Sequence, residues 1–257
     1  MKIIFAGGGT GGHLMAGLSI AQEISSRFPD TRVIFFGTDR NKESRYIEES
    51  NYEFKPIMAC KPTSFIRLPL FAFASLIGII HSLINLLRIK PDIIIGLGGY
   101  GSALPVVAAY IIGIPIVLIE PNVIPGRANL KMERWADAVL CHWESSKKRF
   151  KKGEVAVTGV PIRSGILENQ TEVDNNPFGL DSQKKTLLIM GGSQGAQAIN
   201  KVMLQSIPKL QTLVPGLQII HLTGKHGYQE AKEVYNGTGI NSFVSEFYND
   251  IGAAYKL

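Results

Sequence analysis

Cysteine is nearly absent from this chain. Its 257 residues hold only two, Cys60 and Cys141, far apart and without metal-ligand spacing. They read as reduced thiols, and a disulfide scaffold is excluded. The Lys-Ser/Thr ending of a P-loop is missing after the glycines of residues 7–12, where His13-Leu14 stands instead. An ATPase is therefore disfavoured. No RNA- or DNA-binding motif accompanies the net charge of +6. Phosphorylated substrates or an anionic membrane thus rank above nucleic acid as partners. The N-terminal apolar run is too short for a signal peptide. What the chain does have is 45% hydrophobic residues. That is enough for a real core, in a length that suggests one large domain or two ordinary ones.

The first stretch organises the rest. Lys2-Ile3-Ile4-Phe5-Ala6 reads as a buried strand, and Gly7-Gly8-Gly9-Thr10-Gly11-Gly12-His13 as a tight turn. Leu14, Leu18, Ala21 and Ile24 then mark the apolar face of a helix. Glycines let the backbone approach a ligand, and the helix supplies free N–H groups and a positive dipole end. Such a turn suits a phosphate or the oxygens of a sugar phosphate.

Strands are expected at 32–38, 54–58, 91–97, 114–119, 137–141 and 154–158, with helices at 43–51, 68–87, 103–112 and 126–135 between them. A second glycine turn, Gly98-Gly99-Tyr100-Gly101-Ser102, follows the strand at 91–97. The polar segment 167–183 reads as a linker. A strand at 186–190, a third glycine turn (Gly191-Gly192-Ser193-Gln194-Gly195-Ala196) and a helix at 197–213 repeat the opening theme. Strands at 217–222 and 240–247 and helices at 227–235 and from 250 onward complete the chain. This alternation predicts an α/β protein with two Rossmann-like domains, 1–163 and 164–257, each with a parallel sheet. The second sheet is incomplete, with three strands.

The stretch 68–87 has about the length of a membrane span. Pro69 at its start, His81 and Asn85 within it, and α/β strands on both sides argue against spanning. Arg67, Arg88 and Lys90 flank it. We expect a helix with one face on the sheet and another on anionic lipid. Lys147, Lys148, Arg149, Lys151 and Lys152 form a basic cluster, which fits either a solvated helix end or a hold on an anionic surface.

Gly7, Gly9 and Gly12 satisfy G-x-G-x-x-G, a weak signal alone. With Asp39 it would support an NAD-dependent oxidoreductase, but Asp39 reads better as a loop acid beside Arg40 and Lys42. His13 stands where strand ends meet, which favours a functional role over a structural one. Three glycine turns in one chain suit a reaction between two phosphate-bearing substrates, such as glycosyl transfer from a nucleotide sugar.

Taken together, Gly8-Gly9-Thr10-Gly11-Gly12-His13, Gly98-Gly99-Tyr100, Glu120 with Asn122, Gly159-Val160-Pro161-Ile162-Arg163 and Gly191 to Ala196 resemble the MurG family, within glycosyltransferase family 28. The resemblance runs the length of the chain. It implies a GT-B fold, two Rossmann-like domains facing a cleft, and a peripheral location on the cytoplasmic face of the membrane. It also implies an inverting transfer of GlcNAc from UDP-GlcNAc to lipid I (undecaprenyl-pyrophosphoryl-MurNAc-pentapeptide), forming lipid II, without metal or cofactor. By the same resemblance Thr10, Gly11, Gly12, Asn122, Arg163 and Ser193 bind the UDP-sugar. His13, Tyr100 and Glu120 line the acceptor side, with Gly8, Gly9, Gly98, Gly99, Gly191, Gly192, Gln194 and Gly195 in the phosphate loops. The stretch 68–87 matches the family's membrane-contact region.

This chain has Ile119-Glu120-Pro121-Asn122 where the family usually has His-Glu-Gln-Asn. The family's second domain also continues through a Ser-Gly-Ala…Thr…Glu segment and a later glutamine, beyond Leu257. A fragment of an ordinary transferase is the expectation, and a split, non-catalytic acceptor and membrane module its alternative. For the transfer itself, His13 is the first candidate base and Glu120 the second.

Overall fold

Ile3, Ile4, Phe5 and Ala6 are all buried, which a strand achieves only when both its faces are covered. The computed structural model shows how this is done. It describes residues 1–7, 11–38, 43–58, 68–162, 166, 176–192, 195–248 and 250–257, in two compact units, Met1–Arg163 and Ser164–Leu257.

The first unit is built on seven parallel strands: β1 (Lys2–Ala6), β2 (Arg32–Gly37), β3 (Glu53–Pro56), β4 (Ile93–Gly96), β5 (Ile116–Glu120), β6 (Ala138–Cys141) and β7 (Glu154–Val157). Their order is β3-β2-β1-β4-β5-β6-β7, the doubly wound arrangement. Alternate residues of β1 feed two separate cores. Ile3 and Phe5 face α1 (Gly11–Arg27) and α2 (Glu43–Glu49), through Leu14, Leu18, Ala21 and Ile47. Ile4 and Ala6 face α3 (Leu68–Ile89), α4 (Tyr100–Ile111) and α5 (Arg127–Met132), through Leu86, Val106, Ala109 and Met132. Phe5 stacks on Phe35 of β2 with ring centroids 5.0 Å apart. Between β6 and β7 lies a single turn, α6 (Glu144–Lys147), and the basic residues at and beyond its end are exposed.

Two boundaries differ from the sequence-based expectation. Tyr100, Gly101 and Ser102 belong to α4 rather than to a turn before it, and Gly99 is its N-cap. The helix after Gly126 is also shorter than expected, α5 giving way to a 3-10 turn at Glu133–Trp135.

α3 has two unlike faces. Gly78, Ser82, Leu86 and Ile89 are buried, and Gly78 lies so close to the Met58 carbonyl that a Cβ would come within 2.3 Å of it. Phe73, Leu76, Ile77, Ile80, Ile84 and Leu87 are exposed along the other side. By length and composition Phe71–Ile89 could cross a membrane.

The second unit carries β8 (Thr186–Met190), β9 (Gln218–Leu222) and β10 (Ser242–Ser245), parallel, in the order β10-β9-β8. One face is covered by α7 (Gln197–Leu213) and α8 (Tyr228–Asn236), packed through Leu204, Ile207, Ala231 and Tyr235. The other face is covered by α9 (Ile251–Tyr255) and by Phe178 and Leu180. The linker expectation for 167–183 is therefore corrected at its C-terminal end. Phe178 sits edge-on to Phe243 at 5.0 Å, and Asp181 N donates to Gln218 Oε1 at 2.7 Å. Two apolar residues in a polar segment form part of the core because the outer face of a three-stranded sheet needs a cover.

Candidate active site

In the first sheet the chain leaves β1 toward β2 on one side and β4 on the other. The crevice beyond their C-terminal ends is the switch point of the fold. The first two glycine turns emerge there and touch. Gly7, with φ +102°, donates its N–H to the Phe36 carbonyl at 2.8 Å. A Cβ on it would lie 2.7 Å from the Gly98 carbonyl oxygen, so no larger residue fits without displacing backbone. Gly98 in turn abuts the His13 ring, since a Cβ there would lie 3.2 Å from His13 Cδ2 and 3.2 Å from Asn129 Nδ2.

Around that contact lies a connected polar group. Glu120 ends β5 with none of its surface exposed. Its Oε1 accepts from Asn122 N at 3.0 Å and Asn122 Nδ2 at 2.9 Å. Its Oε2 accepts from Gly126 N at 2.8 Å and Asn129 Nδ2 at 3.0 Å. A carboxylate has about four lone-pair sites, so the protein already occupies those of Glu120. Taking a proton from a substrate would require breaking one of these bonds. A buried carboxylate so engaged holds surrounding backbone and amides in place instead.

Asn122 passes this order to His13. One N–H of its amide is on Glu120, and Nδ2 also lies 3.4 Å from His13 Nε2. A donor facing Nε2 assigns the lone pair to that nitrogen. Burial pushes the His13 imidazole below its ordinary value, and the Glu120 carboxylate pulls it part of the way back. His13 is therefore neutral at pH 7, with a basic nitrogen beside two glycine turns.

Sequence reasoning missed two members. Asn129 is buried within α5, bonds the Ile119 carbonyl at 2.9 Å as well as Glu120, and its own buried Oδ1 has no hydrogen-bond partner among the described residues. His142 is also buried, and its N–H donates to the Glu120 carbonyl at 3.1 Å. Burial lowers the His142 pKa, Glu120 opposes this and His13 adds to it. The available signal was position: His142 follows β6 directly, and Cys141 pairs in register with Glu120.

Tyr100, at the start of α4, has its ring 5.6 Å from that of Phe71, beside the first turns of α3. In the first unit His13, Gly98, Glu120 and Asn122 are thus brought together, while Gly11 and Gly12 open α1. In the second unit, Gly191, Gly192 and Gly195 form the turn between β8 and α7, closed by Gly195 N donating to the Gly192 carbonyl at 3.0 Å. Gly8, Gly9, Thr10, Asp39, Cys60, Arg163, Ser193 and Gln194 lie outside the described residues. Among the described residues no group of three His, Cys, Asp or Glu is placed to hold a metal.

Residues 3–141 match the glycosyltransferase family 28 N-terminal domain, and residues 186–257 the family 28 C-terminal domain. A protein of Thermodesulfovibrio yellowstonii is 34% identical over 268 residues, covering 100% of this chain and 71% of that protein. A Myxococcus xanthus protein is 34% identical over 259 residues, covering 99% of this chain and 66% of its own length. Both are named UDP-N-acetylglucosamine–N-acetylmuramyl-(pentapeptide) pyrophosphoryl-undecaprenol N-acetylglucosamine transferase. The chain thus spans about two thirds of the length of these relatives. Among solved structures, Acinetobacter baumannii MurG superposes with a TM-score of 0.69 at 24% identity, covering 98% of this chain and 68% of that one. A UDP-GlcNAc 2-epimerase from Neisseria meningitidis, bound to UDP-GlcNAc, gives 0.66 at 17%, covering 100% and 75%. These two likenesses establish the GT-B type of fold. The family matches set the oxidoreductase reading aside.

Proposed function

The chain belongs to glycosyltransferase family 28, and from that membership we propose that it transfers GlcNAc from UDP-GlcNAc to the MurNAc C4 hydroxyl of lipid I. The product is lipid II, the disaccharide precursor of peptidoglycan. The observation that carries this reading is the His13–Asn122–Glu120 chain at the switch point, beside two touching glycine turns.

In this reading the C4 hydroxyl oxygen attacks the anomeric carbon of GlcNAc from the face opposite UDP. The bond to the UDP oxygen breaks with inversion. The acceptor hydroxyl displaces the Asn122 N–H from His13 Nε2, and the lone pair so freed takes the hydroxyl proton as general base; the contact given up, 3.4 Å, is longer than any of the four that hold Glu120. Glu120 serves as a positioning residue, fixing Asn122 and through it the ring. The leaving UDP gathers negative charge, which N–H groups of glycine turns and the Arg163 guanidinium offset. Thr10, Gly11, Gly12, Asn122 and Ser193 contact the UDP-sugar, and the turn Gly191 to Ala196 takes its phosphates. Gly8, Gly9, Gly98, Gly99 and Tyr100 face the acceptor pyrophosphate.

The test is transfer of labelled GlcNAc from UDP-GlcNAc to a lipid I analogue, read as a lipid-linked disaccharide. Product formation supports the reading. UDP-GlcNAc binding without transfer would overturn it as an activity of this chain alone. No UDP-GlcNAc binding would favour the split module, an acceptor and membrane domain that needs a donor-binding partner.

The acceptor is a lipid, and the exposed stripe of α3 supports a peripheral seat on the cytoplasmic face of the membrane. Phe73, Leu76, Ile80, Ile84 and Leu87 recur at spacings of three and four, with Arg88 in the last turn and Lys90 after it. An apolar stripe with basic flanks binds anionic lipid in the interface plane. Sedimentation with phosphatidylglycerol vesicles tests this. Leu76→Glu with Ile80→Glu should abolish binding that the parent chain shows; unaltered binding would remove α3 from the contact.

A further inference from the structure

His221 lies in β9, in the middle of the second sheet, with no exposed surface. The proton transfer proposed above does not use it. Its Nε2 lies 3.1 Å from Asn200 Oδ1 and its Nδ1 3.0 Å from the Tyr235 hydroxyl. The Asn200 amide is oriented by its other end, where Nδ2 donates to the Thr223 carbonyl at 2.8 Å. Oδ1 therefore accepts, His221 Nε2 carries the proton, and Nδ1 receives the Tyr235 O–H. The bonds form one directed chain: Tyr235 to His221 to Asn200 to the carbonyl of Thr223.

That carbonyl is where the third glycine turn closes. A Cβ on Gly195 would lie 2.1 Å from Thr223 O and 2.9 Å from Gly224 Cα, and Gly195 has φ +75°. A Cβ on Gly227 would lie 2.3 Å from Asn200 Nδ2. Asn200 itself sits in the first turn of α7, its N–H donating to the Ala196 carbonyl at 3.0 Å. Asn200 thus joins the start of α7, through its backbone N–H, to the loop after β9, through its side chain, and Gly195 packs on the same Thr223 carbonyl that this side chain holds. The Thr223 and Gly224 N–H groups are bonded to Ser245 and Glu246 of the next strand and its exit, at 3.0 and 2.9 Å. The loop after β9 is therefore a fixed platform.

We propose that His221 is a positioning residue for Gly195, at the end of the third glycine turn: it sets the Asn200 amide, which fixes the Thr223 carbonyl on which Gly195 packs. The inference rests on the reading of that turn as the donor-phosphate site for its consequence in binding, not for its geometry. A neutral imidazole is required, and burial lowers the His221 pKa to about 4, so the bonds persist throughout the neutral range.

The test is amide hydrogen exchange at Gly195, whose N–H is bonded within the turn, together with titration by UDP. Loss of one buried bond in the chain should speed Gly195 exchange about tenfold in Tyr235→Phe and in His221→Leu. His221→Gln keeps a donor for Asn200 Oδ1 and should restore slow exchange. Ile207→Val, in the same core but outside the bonded chain, should leave Gly195 unaltered. Should His221→Leu fail to fold, Tyr235→Phe decides. Unchanged Gly195 exchange in Tyr235→Phe, or equal acceleration in Ile207→Val, overturns the proposal. With UDP, the Kd should rise about tenfold in Tyr235→Phe while Ile207→Val stays at the parent value. If the parent chain binds no UDP but Gly195 responds as described, the donor reading fails and the positioning role stands.

Discussion

Each unit of this protein places a histidine against an asparagine beside a glycine turn, His13 half-buried and His221 fully buried, and the two histidines come out opposite. In the first unit the asparagine offers His13 an N–H, because Glu120 pulls the amide nitrogen to that side. In the second, the Thr223 carbonyl pulls the nitrogen away, and Asn200 offers His221 an oxygen. His13 thus keeps a lone pair on Nε2 and His221 a proton. Charge separates them further. Glu120 counters the burial of His13, whereas His221 is lowered to about 4 by burial alone. A buried histidine with a carboxylate nearby stays suited to proton transfer; without one it becomes a neutral strut.

The largest expected effect breaks the comparison at His13. His13→Ala should lower the rate of GlcNAc transfer by about 10²- to 10⁴-fold, the usual contribution of a general base. Ile207→Val, in the core of the second unit and outside both hydrogen-bonded chains, should leave kcat near the parent value. A transferase that tolerates His13→Ala would make both histidines struts.

Next comes Phe178→Ala. Phe178 packs against Phe243 and Tyr248, and its truncation should cost about 3 kcal/mol. Denaturant unfolding should place that loss in the second unit, leaving the first unaffected. No measurable loss would return the segment before β8 to the status of a linker.

The pH dependence of stability is of similar size and separates the units by cause. His221 binds a proton in the unfolded chain below about pH 6.5 but in the folded chain only below about 4. The unfolded state holds the extra proton in that window, so stability falls as pH drops from 6.5 to 4. The loss levels off near 3 kcal/mol, because each tenfold difference in proton affinity between the two states is worth about 1.4 kcal/mol. His221→Gln should flatten that slope. Activity should fall in acid as His13 takes up a proton, in a limb displaced below the ordinary histidine range by burial, and His221→Gln should not move that limb.

The smallest effect sharpens the role of Glu120. Glu120→Gln turns one acceptor oxygen into a donor facing an N–H, at a cost of about 1–3 kcal/mol. If Glu120 positions rather than reacts, that variant should retain more transfer than His13→Ala. Equal losses would give Glu120 a direct part in proton transfer.

The strands were legible in the sequence because their burial on two faces writes continuous apolar runs, as in 3–6 and 33–36. The glycine turns were legible because backbone close approach admits little else. His13 could be singled out by its place after such a turn. Asn129, His142, Asn200, His221 and Tyr235 could not, since each acts through a partner 9 to 23 residues away or through neighbouring strands. Glu120 was visible as a carboxylate, but its four donors were not.

The sequence by itself therefore determined the alternation of strands and helices, the glycine turns at strand ends and the two-faced helix at 68–87. All of these follow from local periodicity and from residues without side chains. Only the tertiary structure decided that Phe178 and Leu180 are core and that Glu120 is held rather than poised. It also decided which nitrogen of each histidine carries the proton. Those depend on which hydrogen-bonding groups meet at a buried point, and packing across the sheet brings them there.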